Sequence, residues 1–159
     1  MIQRIQTIYL ALVAVLSILG LCLPIGKFYQ GTHTVATYNN FVLIPSEDYG
    51  QAFSSINLGP IALGVLLIIV ALITLMSIML YRHRMRQLRL TIFSTILLVG
   101  YVAYYAFLTW KYTLAVNPDT TYHLCIAAVL PVVSIILNCL AIHGIRRDEA
   151  LVRSLDRLR

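Results

Sequence analysis

Charge is scarce in this sequence: 11% of its 159 residues are Asp, Glu, Lys or Arg, against 60% hydrophobic. A soluble domain carries about a quarter charged residues, and a soluble fold could not hide so much apolar surface. The scarcity becomes an absence in four apolar runs, residues 5–23, 60–81, 90–110 and 123–145, none of which contains an Asp, Glu, Lys or Arg. Ion and proton pathways need such groups inside a bundle. This argues against a proton-coupled exporter of the small multidrug type, with its intramembrane glutamate, and against a channel built on charged rings. Cysteine is also sparse. Cys22, Cys125 and Cys139 lie in or beside the apolar runs and form no C-x-x-C pair, so the paired cysteines of four-helix quinone-linked thiol oxidases are missing. Buried inert thiols are the expectation. Cys22 and Cys125 fall at similar levels near the outer helix ends, where a disulfide is geometrically allowed but no spacing signal supports it. The Arg, Asn and Glu pattern of four-span glutathione-dependent enzymes is missing too. His33, His83, His123 and His143 share no helical turn, so neither a metal site nor any other cofactor is expected.

The charges that are present are unevenly placed. Ten of the twelve Lys and Arg fall at Arg4, in the 82–89 segment (Arg82, Arg84, Arg86, Arg89) and in the tail (Arg146, Arg147, Arg153, Arg157, Arg159); only Lys27 and Lys111 lie elsewhere. The net charge of +6 is therefore distributed as the positive-inside rule distributes it and not as a nucleic-acid-binding face. Basic segments resist translocation, so the 82–89 loop and both termini are placed in the cytoplasm. Arg82, Arg84, Arg86, Arg89, Arg146 and Arg147 are expected to set the topology and to contact anionic lipid. The expected topology is four membrane crossings.

The first run, 5–23, is about 28 Å long as a helix, close to the hydrocarbon thickness, and ends at Pro24 and Gly26. No small-x-small cleavage site follows it, so an uncleaved first helix is expected. Small residues at Ala11, Ala14, Ser17 and Gly20 suit close helix packing. Residues 24–59 form the one sizeable extracytoplasmic loop. Within it His33–Tyr38 and Phe41–Ile44 read as strands of a hairpin around a two-residue turn at Asn39-Asn40, with Gly26–Gln30 available as a third strand. Residues 45–50 read as turn and loop. A lone hairpin is marginal in water, so it should lean on helix ends or on a partner. Asn57 and Pro60 suit the start of the second helix. Trp110, Tyr112 and Tyr122 mark the outer interface, and Asn117-Pro118-Asp119 signals a turn in the outer loop 111–122. Pro131 falls within the fourth run, where a bend is expected. The amphipathic tail, 146–159, either extends helix four or lies on the anionic leaflet. The expected fold is an all-α integral membrane protein: a single-domain four-helix bundle with a small extracytoplasmic β-hairpin between helices one and two.

Neutral polar residues recur at matching depths in the runs. Thr74, Ser77, Ser94, Thr95 and Asn138 form a layer shared by three helices near the cytoplasmic side, read as interhelical hydrogen-bond glue, with a small polar ligand site as the sharper alternative. Tyr101, Tyr104 and Tyr105, level with Ser134, need partners for their hydroxyls and are read as packing, or as a lipid-headgroup or quinone pocket opening to the outer leaflet.

The opening Met1-Ile2-Gln3-Arg4-Ile5-Gln6-Thr7-Ile8-Tyr9-Leu10 and the closing Arg146-Arg147-Asp148-Glu149-Ala150-Leu151-Val152-Arg153-Ser154-Leu155-Asp156-Arg157-Leu158-Arg159 resemble the two ends of a bacterial membrane family catalogued as domain of unknown function 4293, with a similar layout along the whole chain. The resemblance implies a bacterial inner-membrane protein and brings no catalytic residues. The leading expectation is a non-enzymatic accessory or assembly subunit of a membrane complex. It would contact the bilayer and a membrane-protein partner or a second copy, docking through the extracytoplasmic loop. Binding or translocation of a lipid or small neutral molecule within the bundle is the alternative.

Overall fold

A computed structural model describes residues 3–46, 59–80, 84–115 and 120–156. Four helices, α1 (Gln3–Cys22), α2 (Gly59–Met79), α3 (Arg84–Ala115) and α4 (Leu130–Asp156), are joined by four strands, β1 (Gly26–Gln30), β2 (His33–Tyr38), β3 (Leu43–Pro45) and β4 (Thr120–Leu124), and by a 3-10 turn at Ile126–Ala128. Each helix is long and apolar enough to cross a membrane. They pack as a square in which α1 touches α2 and α4, and α3 touches the same two. The sheet closes the end where α1 and α3 finish and α2 and α4 begin. The start of α1, the end of α2, the start of α3 and the end of α4 lie at the other.

Local chemistry explains most boundaries. Pro24 has no N–H to continue the α1 ladder, and the chain turns into the sheet, with the Ile25 amide donating to the Tyr38 carbonyl at 2.8 Å. α3 takes in the arginine-rich segment and continues past residue 110, reaching 32 residues or about 48 Å at the standard rise. That exceeds the hydrocarbon thickness of a bilayer. α4 begins at Leu130, not at His123, because residues 120–124 are drawn into the sheet. Pro131 therefore sits in the first turn, where a missing N–H leaves no intrahelical bond unmade, and the expected mid-helix bend has no cause. From there α4 runs unbroken to Asp156, so the tail extends helix four. Arg157 and Arg159 lie outside the described residues.

The hairpin is part of a larger sheet. Its strand order is β3-β2-β1-β4, all antiparallel. The segment between α3 and α4 contributes β4, which covers the β1 edge. The two-residue turn falls at Gly31-Thr32, between the paired Gln30 and His33, and Gly31 has the positive φ of 63° that a tight hairpin asks of its first central residue. Asn39 and Asn40 belong instead to a four-residue loop between the paired Tyr38 and Leu43, closed by the Asn39 amide on the Val42 carbonyl at 3.0 Å. A register shift opposite Phe28 and Tyr29 adds one residue to β2. Val35 and Ala36 are consecutively buried as a result, which strict alternation would forbid. Residues 47–58 and 116–119, which hold most of the 45–50 turn, Asn57 and the Asn117-Pro118-Asp119 turn, lie outside the described residues.

One apolar core runs from sheet to bundle, through Ile25, Phe28, Val35, Tyr38 and Leu43 to Leu63, Leu67, Leu98 and Val13. The helices bury only a narrow stripe: 28–39% of each spanning segment is inside the molecule. The rest is a belt of exposed apolar side chains such as Ile8, Val15, Leu72, Ile96, Phe107 and Ile136. An apolar surface of that extent needs an apolar surrounding.

Candidate functional site

Two polar constellations occupy the bundle interior. In the first, α2, α3 and α4 bring Thr74, Ser94 and Asn138 together. Thr74 Oγ1 donates to the Val70 carbonyl at 2.7 Å, which leaves it as acceptor from Ser94 Oγ at 3.4 Å. Ser94 in turn accepts from Asn138 Nδ2 at 3.4 Å. The chain of donors thus runs one way, from α4 to α2. Asn138 Oδ1 is buried with no hydrogen-bond partner among the described residues. One turn nearer the chain termini, Ser77 meets Thr91 at 3.2 Å, and Thr91 donates to the Gln87 carbonyl at 2.9 Å. Thr95 stands apart: its hydroxyl donates to the Thr91 carbonyl of its own helix at 2.8 Å.

The second constellation lies under the sheet. Asn40, 1% exposed, donates from Nδ2 to the Gly20 carbonyl of α1 at 2.6 Å and accepts from the Tyr101 hydroxyl of α3 at 2.7 Å. Its own carbonyl accepts the Gly64 amide of α2 at 3.0 Å. One loop residue therefore bridges three helices. Gly64 is required there, because a Cβ at that position would strike the Phe41 ring. Tyr105 and Tyr122 share a hydrogen bond of 2.6 Å, and the Tyr104 hydroxyl donates to the Gly59 carbonyl at 3.3 Å. Ser134 bonds back to Leu130 in its own helix at 2.9 Å. The tyrosine hydroxyls are thus engaged singly by the loop, by β4 and by the start of α2, and Ser134 is bonded to none of them.

Tyr38 packs between Tyr105, at a centroid distance of 6.1 Å, and Tyr112, at 5.4 Å and nearly perpendicular. Its hydroxyl has no hydrogen-bond partner among the described residues. Burial, and then the neighbouring Tyr112 phenol, push its pKa above the ordinary tyrosine range. Burial, followed by its bond to Tyr105, does the same for Tyr122. Both phenols stay neutral.

At the opposite end Arg86 and Arg89 are exposed on the first turns of α3, and Arg146 and Arg147 are exposed on α4. Arg84 opens α3, and Arg82 lies outside the described residues. Between them is a contact with no local sequence signal. Gln6 Nε2 donates to the Asp148 carboxylate at 2.8 Å, with both residues buried, tying the first helix to the last. Its two members stand in the two end segments that carry the family resemblance. Asn40 was missed for a different reason: an Asn-Asn pair between strands reads as turn chemistry.

Among the described residues no three His, Cys, Asp or Glu are grouped to hold a metal ion, and the three cysteines are unpaired. Cys22 and Cys139 are exposed on the helix flanks and not buried. The arrangement can align hydroxyls, amides and phenols, and it holds helices and sheet in fixed relation. No curated protein matches the chain. A family model matches residues 2–158, and the chain belongs to the family described as Domain of unknown function (DUF4293).

Proposed function

We propose that this is a bacterial inner-membrane protein of four spans with both termini cytoplasmic, acting as a non-enzymatic accessory or assembly subunit that docks a membrane-protein partner through its extracytoplasmic sheet. The observation that carries the reading is the mounting of the β2–β3 hairpin. Its inner face, Val35, Ala36, Tyr38 and Leu43, is buried and its loop is bonded to three helices through Asn40. Its outer side presents Val42 at 49% and Ile44 at 52% exposure beside the edge strand β3. A rigidly held edge with outward apolar side chains suits strand addition by another chain. Ordering has already been met in folding, so binding loses little entropy.

Because the hairpin is part of the core, replacing it wholesale would test folding and not docking. The discriminating variant changes only the outward side chains. Val42→Glu with Ile44→Lys should leave membrane insertion and thermal stability unchanged and remove stoichiometric partners from a mild-detergent pull-down. Retrieval of the same partners at the same yield would refute docking through this edge. The alternative, binding of a lipid or small neutral molecule within the bundle, draws on the unpaired Asn138 Oδ1. It predicts that a co-purified ligand disappears in Asn138→Leu while partner recovery is unaffected.

A further inference from the structure

The face of the sheet turned away from the bundle carries a second feature. β1 and β4 place Lys27 directly opposite His123. Phe28 and Tyr122, the neighbouring pair, turn inward with their rings 4.8 Å apart. Strand alternation then puts Lys27, Tyr29 and His123 together on the other face. The Tyr29 and His123 rings meet edge to face, with centroids 5.1 Å apart and an interplanar angle of 87°. These three side chains, with Gly31, Leu124 and Cys125, line an open hollow of about 480 Å³. Among the described residues no carboxylate lines it. Next to it Leu124 and Ile126 are 68% and 81% exposed, continuing the apolar belt of the helices up to the Lys27 ammonium.

We infer that this hollow binds an anionic phosphate headgroup of an outer-leaflet lipid. Lys27 supplies the charge, His123 and Tyr29 supply hydrogen-bond donors, and Leu124 and Ile126 receive the first carbons of the acyl chains. The hollow falls within the range of about 300–1,000 Å³ typical of small-molecule sites. It has room for a glycerophosphate head but not for a whole lipid, whose tails then lie along α1 and α4. A free phosphate offers the same head chemistry but makes no use of the exposed Leu124 and Ile126. The inference rests on the membrane placement proposed above and is independent of the docking edge, which lies at the far side of the sheet from β4.

The test is native mass spectrometry of the full-length protein in detergent, titrated with phosphatidylglycerol or phosphatidylcholine, with and without inorganic phosphate. Phosphatidylglycerol should bind in preference to phosphatidylcholine. Lys27→Gln should weaken it about fivefold, the effect of one base beside an anionic lipid. Lys27→Arg should restore it, and Lys111→Gln, which removes the other base at this end, should not change it. Leu124→Ser with Ile126→Ser should also weaken it. Equal binding of the two lipids, or wild-type affinity in Lys27→Gln, overturns the site. Displacement of phosphatidylglycerol by equimolar inorganic phosphate overturns the lipid as its occupant.

Discussion

Asn138 shows how little a buried polar residue need contribute. Its amide reaches Ser94 only at 3.4 Å, and its Oδ1 has no partner among the described residues. An unsatisfied buried acceptor costs about 1–3 kcal/mol, while an interhelical hydrogen bond between spans returns about 0.6 kcal/mol. Asn138→Leu should therefore leave stability within about 1 kcal/mol of the parent, or raise it, in a reversible denaturation assay. A loss well beyond that would mean that the amide is bonded more strongly than its geometry implies. Gln6 and Asp148 present the opposite case, a 2.8 Å bond to a carboxylate, which is worth about 1.5–3 kcal/mol. Gln6→Leu should lower stability by about 2 kcal/mol, and Gln6→Glu should lower it further by setting two carboxylates together. Equal stability of parent and both variants would show that the contact is dispensable.

At the scale of elements, the β2–β3 loop, expected only to turn a hairpin, joins three helices through Asn40. Asn40→Ala removes two side-chain hydrogen bonds, to Gly20 and Tyr101, and leaves a buried carbonyl and phenol unmatched, a loss of about 3 kcal/mol. Asn40→Asp keeps the acceptor for Tyr101 but sets a carboxylate against the Gly20 carbonyl. Thermal melts should rank the parent above both, and a melt of Asn40→Ala indistinguishable from the parent would remove Asn40 from its bridging role. Pro131 gives a contrasting prediction. In the interior of a helix a proline costs about 3 kcal/mol, so Pro131→Ala would be strongly stabilising there. In the first turn the exchange should change stability by less than about 1 kcal/mol. These two residues also show where sequence reading stopped. The four helices were legible because runs of about twenty apolar residues have one physical outcome. β1 and the β2–β3 pairing were legible from β-branched and aromatic runs. β4 was not, because Thr120–Leu124 straddles the end of a loop and the start of an apolar run, and its partner β1 lies some ninety residues away. With β4 unseen, helix four was started too early and Pro131 fell into its interior.

For the molecule as a whole, the depth of a residue was more legible than its direction. Counting inward from the helix ends brought Thr74, Ser94 and Asn138 to one level, where they meet. It also enrolled Thr95, which bonds within its own helix, and the same reasoning set Ser134 level with the tyrosines, although it too bonds within its own helix. Depth follows from length, whereas direction depends on which helices are neighbours, and periodicity in uniformly apolar runs does not reveal that. The same limit hid the Gln6–Asp148 contact, whose members are 142 residues apart. The central claim is therefore topological: four helices set in a bilayer, with the sheet outside and the arginine-rich end inside. Single cysteines at Thr32 and Met85, both exposed and neither a base, test it in a background lacking Cys22, Cys125 and Cys139. A membrane-impermeant maleimide applied to cells whose inner membrane is intact should label the probe at position 32 and should reach the probe at position 85 only after permeabilisation. Labelling at position 85 in intact cells, with position 32 protected, would contradict the claim.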